Sequence, residues 1–294
     1  MPDNRFARLL ALLAATSGIL LAACADAPED GGRVRVVATI APVGALAQAV
    51  AGDAVRLDIL VRAGVDPHEY ELKSADARAI ADAALIFRNG RGADGFLDKA
   101  LRDSKATVVT LTDGLPLRSD DPHVWHDPTL DIAMVDTIVR ALSTADPAHA
   151  ATFEANGRAY QERLRAVDRE VRAAIDAIPP AQRKMVTDHE AFTYFAARYG
   201  LTIVGTVIPG PTTGVEPSAG DIAALVETIR REGVRAIFSE SSVDPKVTRR
   251  VASEAGVKVV DDLYGDSLGP PGSGADTVDG MLLSNARKIA DALK

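Results

Sequence analysis

The sequence predicts an α/β protein with two parallel-sheet domains, helices on both faces of each sheet, joined by one long rigid α-helix. Three observations carry that reading. Short β-branched runs alternate with alanine-rich segments of helical period before about residue 146, the same alternation resumes after residue 180, and between them lies an unbroken amphipathic stretch.

In the first half, strands are expected at Val34 to Ala38, Val55 to Val61, Ala84 to Phe87 and Thr107 to Leu111, with helices around Ala41 to Val50 and Ser74 to Asp82. A further helix carries Ile132, Val135, Val139 and Leu142. In the middle stretch, Phe153, Tyr160, Leu164, Val167, Val171, Ile175 and Ile178 recur at intervals of seven, then three or four, which is one helical stripe. Asp146 and Pro147 supply a start signal, and Pro179-Pro180 a stop. Such a helix would run to roughly 45 to 50 Å and span two domains. Strands then follow at Lys184 to Thr187, Thr202 to Ile208, Ala236 to Ser239 and Lys258 to Asp261. Helix starts are marked by Ser218 with Asp221, by Asp244-Pro245 and by Thr277. The expected division is a signal segment at 1–23, a tether at 24–33, an N-terminal α/β domain at 34–146, a linking helix at 147–180 and a C-terminal α/β domain at 181–294.

The signal reading rests on Arg5 and Arg8 before an uncharged apolar run from Leu9 to Ala23, too short and alanine-rich for a membrane span. That run closes as Leu21-Ala22-Ala23-Cys24, which resembles the lipobox of bacterial lipoproteins; the alternative is ordinary secretory cleavage near Ala25 or Ala27. Cys24 is the only cysteine, so the folded part has neither disulfides nor thiolate metal sites. Removing residues 1–23 leaves 31 basic against 40 acidic residues, a charge of -9 that argues against a nucleic-acid partner.

Four of the five histidines lie in or beside loops that follow strands or precede helices. His68 stands in Asp66-Pro67-His68-Glu69-Tyr70-Glu71, His123 and His126 in Asp121-Pro122-His123-Val124-Trp125-His126-Asp127-Pro128, and His189 in Thr187-Asp188-His189-Glu190-Ala191-Phe192. Proline before His68 and His123 restricts the backbone that aims each ring. Singly, each would be as readily a solvated side chain as a ligand.

These segments, with His189 to Phe195 leading to Tyr199-Gly200-Leu201, Ile237-Phe238-Ser239-Glu240 and Tyr264-Gly265-Asp266-Ser267-Leu268-Gly269, resemble the metal-binding lipoproteins of zinc and manganese ABC importers, the cluster A-I solute-binding proteins. The likeness runs from Val34 to the C-terminus. It implies a metal site of His68, His123, His189 and Asp266 in an interdomain cleft, an ABC transporter permease as partner, and attachment to the membrane through a lipid on Cys24. The protein is expected to be an extracytoplasmic monomer and not an enzyme.

Three imidazoles and one carboxylate suit Zn2+. Manganese-associated members tend to have glutamate in place of His189, so Mn2+ is the lesser expectation. The histidine-rich loop of many zinc-specific members is missing: Asp113 to Asp121 contains no histidine. Glu240 is a candidate to orient a ligand imidazole through its other nitrogen, or is a plain helix-cap or surface carboxylate. His126 is read as a surface residue or one behind the ligands, His149 as solvated, Trp125 and Tyr70 as packing beside the site, and Asp261 and Asp262 as weaker alternatives to Asp266. A metallohydrolase would need an open coordination position and a general base, and no His-Glu-x-x-His helix is present. A siderophore or corrinoid receptor would give no reason for three histidines in matching loops.

Overall fold

The computed structural model describes residues 32–117 and 121–294; the expected signal segment and Cys24 lie outside the described residues. From Val34 to Lys294 the chain forms one compact unit that contains two four-stranded parallel sheets. The first has the order β2-β1-β3-β4, from β1 (Val34–Ile40), β2 (Val55–Val61), β3 (Leu85–Arg88) and β4 (Thr107–Thr110). The second repeats that plan as β6-β5-β7-β8, from β5 (Lys184–Thr187), β6 (Thr202–Thr206), β7 (Ala236–Glu240) and β8 (Lys258–Leu263).

Helices cover both faces. On β1, Val36, Ala38 and Ile40 point to the face packed by α1 (Ala41–Ala51), while Val37 points the other way, with Ile80 of α2 (Ser74–Asp82) and Leu101 of α3 (Asp98–Arg102). This is the period of two that strands impose. In the second sheet, Val186 and Ile237 pack under α7 (Ala219–Glu232) and α8 (Lys246–Ala255), and Met185 and Phe238 face the side of α6 (Thr193–Tyr199) and α9 (Val278–Leu293). Ser218 and Asp221 form a reciprocal capping box at the start of α7, and Thr277 caps α9.

The inner faces of both sheets belong to one continuous apolar cluster, carried across by α4 (Pro128–Ala145) and α5 (Ala150–Asp176). Along α5, Phe153, Leu164, Val167, Val171 and Ile175 are fully buried. Its 27 residues correspond to about 40 Å, somewhat shorter than expected. The helix is shorter at both ends: Pro147–His149 form a separate 3-10 turn, Asp146 caps no helical N–H, its carboxylate instead accepting from His149 Nδ1 at 2.7 Å, and α5 closes at Asp176, before Pro179-Pro180. β6 is also shorter than its β-branched run, although Val207 and Ile208 still donate to the Thr187 and Asp188 carbonyls. Among the described residues no helix is long and apolar enough to cross a membrane.

Candidate metal centre

All four histidine and carboxylate positions singled out as a ligand set fall in loops at the carboxyl ends of strands, where open parallel sheets present their loops to ligands. His68 follows β2 and His123 follows β4; His189 follows β5 and Asp266 follows β8. The two Asp-Pro-His segments fold alike. Asp66 Oδ1 accepts from the His68 N–H at 2.8 Å, and Asp121 Oδ1 from the His123 N–H at 2.9 Å. In each, a short carboxylate closes a turn over a proline of fixed φ and so aims the imidazole two residues on. The second loop is also held from β3: Asn89 Nδ2 donates to the Pro122 carbonyl at 2.9 Å, while the Asn89 N–H donates to buried Asp94 at 2.7 Å.

In the other lobe, Asp188 is the anchor. Its carboxylate accepts from the Glu240 N–H at 2.6 Å, from Ser239 Oγ at 3.1 Å and from Thr248 Oγ1, tying together β5, β7 and α8 just before His189. The loop carrying Asp266 is held by Asn285 of α9, which brackets both backbone groups of Tyr264 at 3.0 and 2.8 Å. Gly265 must lack a side chain, since a Cβ there would overlap the Glu240 carboxylate and stand 3.1 Å from Ala191 Cβ.

These loops bring one donor atom from each of His68, His123, His189 and Asp266 to within 4.8 Å of one another. The Nε2 atoms of the three rings lie 3.3, 2.8 and 3.1 Å from Asp266 oxygens. His123, His189 and Asp266 have fully buried side chains, yet none of these Nε2 or carboxylate atoms makes a hydrogen bond of acceptable geometry. Buried polar atoms normally find partners, and a converging set left without them is what a bound cation would satisfy. Behind the rings, His123 Nδ1 donates to Asp121 Oδ1 at 2.7 Å, and His189 Nδ1 lies 2.8 Å from Glu240 Oε1. Each of these two imidazoles thereby turns Nε2 inward.

Burial opposes charge on these groups, but their mutual attraction outweighs it. The Asp266 and Asp121 carboxylates push His123 up to about 9, Glu240 and Asp266 hold His189 well above the ordinary histidine value, and the two imidazolium groups hold Asp266 well below the carboxylate range.

His126 is buried, not at the surface, and lies outside the cluster. Its Nε2 donates to the Gly265 carbonyl at 2.9 Å, the same oxygen that accepts from Trp125 Nε1 at 2.8 Å. Burial and the neighbouring His123 charge push it down to about 4. His149 is half exposed beside Asp146. Tyr70 donates to Asp76 at 2.8 Å, and Asp261, Asp262 and Glu69 are exposed. The Trp125 and His126 clasp on Gly265, Asn89 on the Pro122 carbonyl and Asp188 as an anchor were not legible in the sequence, because each partner lies at least 33 residues away.

Two α/β lobes joined by a long helix, with an ion-sized cluster of imidazoles and a carboxylate between them, define a two-lobed solute-binding protein for a metal cation. Residues 36–292 match the family model described as zinc-uptake complex component A, periplasmic. The chain belongs to that family, whose members are substrate-binding proteins of ABC transporters. The manganese ABC transporter substrate-binding lipoprotein PsaA of Streptococcus mitis is 30% identical over 297 residues, covering 94% of this chain and 96% of that protein. The manganese-binding lipoprotein MntA of Bacillus subtilis is 31% identical, covering 89% of this chain and 90% of that protein. Among solved structures, the periplasmic zinc-binding protein TroA from Treponema pallidum superposes with a TM-score of 0.85 at 30% identity, covering 89% of this chain and 99% of that one. The chain is thus an extracytoplasmic metal-binding component of an ABC importer.

Proposed function

We propose that this protein captures Zn2+ with His68, His123, His189 and Asp266 and delivers it to a membrane permease. The observation that carries the reading is the donor set: three imidazole nitrogens and one carboxylate oxygen, all within 4.8 Å. That composition suits four-coordinate zinc, whereas a harder ion such as Mn2+ prefers more oxygen. Relatives named for manganese and for zinc both occur at about 30% identity, so the choice between the ions rests on the donors. A second carboxylate behind His123 and behind His189 adds to the basicity of those rings and fits the same choice.

In this reading the hydrated ion enters the cleft, loses its water to the four side chains and displaces the protons held on the imidazoles. Four protein donors leave no coordination position for a reacting water, in keeping with capture and release instead of hydrolysis. All four donors come from one chain, which supports action as a monomer. Attachment through a lipid on Cys24 accords with the lipoprotein names of PsaA and MntA.

Competitive titration against a chelator of known affinity tests the assignment. Zinc should bind one-to-one and more tightly than manganese by several powers of ten. Comparable affinities for the two ions would overturn the zinc reading.

A further inference from the structure

The four donors are not equally held. His123, His189 and Asp266 have side chains without solvent exposure, whereas His68 retains 7%. Asp121 backs the His123 ring and Glu240 backs the His189 ring; among the described residues no second carboxylate backs His68. The two flanks of the cluster differ as well. One is shut by the fully buried side chains of Trp125 and His126, which share the Gly265 carbonyl. Against the other lies a cavity of about 330 Å3, bounded by His68, Pro67 and Phe96 from one lobe and by Thr212, Gly214 and Val215 from the other.

Across that open flank the His68 loop is tied to the facing lobe by hydroxyls. Thr213 Oγ1 donates to Asp66 Oδ2 at 2.6 Å, and the Gly64 N–H donates to Ser267 Oγ at 2.5 Å. The remaining oxygen of Asp66 accepts the His68 N–H. One carboxylate therefore both sets the backbone of the least enclosed donor and fastens it to the opposite lobe. The Thr213 loop passes so close that a Cβ on Gly214 would stand 2.9 Å from Glu69 Oε1.

We propose that the His68 loop is the door through which the ion enters and leaves, and that the Thr213–Asp66 hydrogen bond is its latch, setting the rate of metal release. The inference rests on the reading of the cluster as a metal site. Release requires one donor to withdraw first, and His68 is the donor with the fewest supports and the nearest open space. Its withdrawal moves Asp66, so the Thr213 bond must break in the same step. A hydroxyl-to-carboxylate hydrogen bond at a half-buried position is strong enough to change a rate by about tenfold.

The test is stopped-flow release of zinc from the full-length, zinc-loaded protein into excess colorimetric chelator. Thr213→Val, which keeps the shape and removes the hydroxyl, should release zinc about tenfold faster while still binding one ion. Thr213→Ser should restore the wild-type rate, and Thr144→Val, which removes an exposed hydroxyl on α4, should leave it unchanged. One-to-one zinc binding with Thr213→Val releasing at the wild-type rate overturns the latch alone. Faster release from Trp125→Phe but not from Thr213→Val places the exit on the opposite flank and also overturns it. Failure of the wild type to bind zinc stoichiometrically removes the site reading and the latch together.

Discussion

Asp266 stands against three imidazoles, and in the proposed zinc site that one carboxylate would govern when a cation can be taken up. Because its charge outweighs the burial that would discharge His123 and His189, both rings keep their protons well above the usual histidine range near ~6.5. A raised value means that protons are bound at neutral pH and are lost only as pH rises through the elevated value, about 9 for His123. Metal must displace those protons, so zinc affinity should keep climbing from neutral pH towards 9 instead of levelling off near 7. Calorimetry at pH 7.5 in buffers of different ionisation enthalpy should register release of about two protons per zinc for the wild type and about one for His189→Ala. A count near zero for the wild type would contradict the paired charges. His126, pushed down to about 4, is neutral throughout this range and contributes no proton.

α4 and α5 cross where Gly157 faces Val139. A Cβ on Gly157 would overlap Val139 Cγ2 and lie 3.7 Å from Val135 Cγ1. Alanine normally favours a helix interior over glycine by nearly 1 kcal/mol, yet here the added methyl meets a β-branched side chain that has little rotamer freedom. Overpacking should win. Gly157→Ala is expected to lower stability in chemical denaturation by about 1 to 3 kcal/mol, and Val139→Ala combined with it should recover part of that loss. Stabilisation by Gly157→Ala alone would show that the helices can separate at no cost. The crossing matters to function because α4 and α5 carry the continuous apolar cluster between the lobes. Loosening it should widen their relative motion and weaken metal retention without touching a donor.

Each lobe supplies two of the four proposed donors, His68 and His123 from one, His189 and Asp266 from the other. An ion bound at the proposed site would therefore cross-link the lobes, and its binding energy would add to the stability of the closed molecule. With free zinc about 1,000-fold above its dissociation constant, the gain is about 4 kcal/mol, or on the order of 10 °C in melting temperature for a chain of this size. Thermal unfolding with and without zinc should show that rise, and His68→Ala or Asp266→Ala should reduce it. An equal rise with manganese at the same concentration would count against the nitrogen-rich donor set as the basis of selectivity. The long α5, packed along the apolar cluster shared by both lobes, should limit how far they swing, so release is expected to proceed by loop withdrawal or small rotation and not by wide opening.

The sequence alone determined the features that depend on near neighbours. Strand and helix periods are set within a few residues, and so are the Ser218–Asp221 capping box, the start of α9 at Thr277 and the turns that aim His68 and His123. The motifs in their order also carried the family likeness that selected His68, His123, His189 and Asp266 from the other titratable groups. Only the tertiary structure decided what holds those side chains and how they are enclosed. The sequence left His126 either at the surface or behind the ligands, and the structure decides for the interior: its ring is buried and bonded to the Gly265 carbonyl, 139 residues on. Asp188 anchors two strands and a helix through groups 51 to 60 residues away, which nothing in its local sequence signals. Asp66 and Thr213 lie 147 residues apart and meet across the cleft. Such contacts leave no local pattern, because they arise from two sheets brought face to face by a helix whose own sequence records only which of its sides is buried.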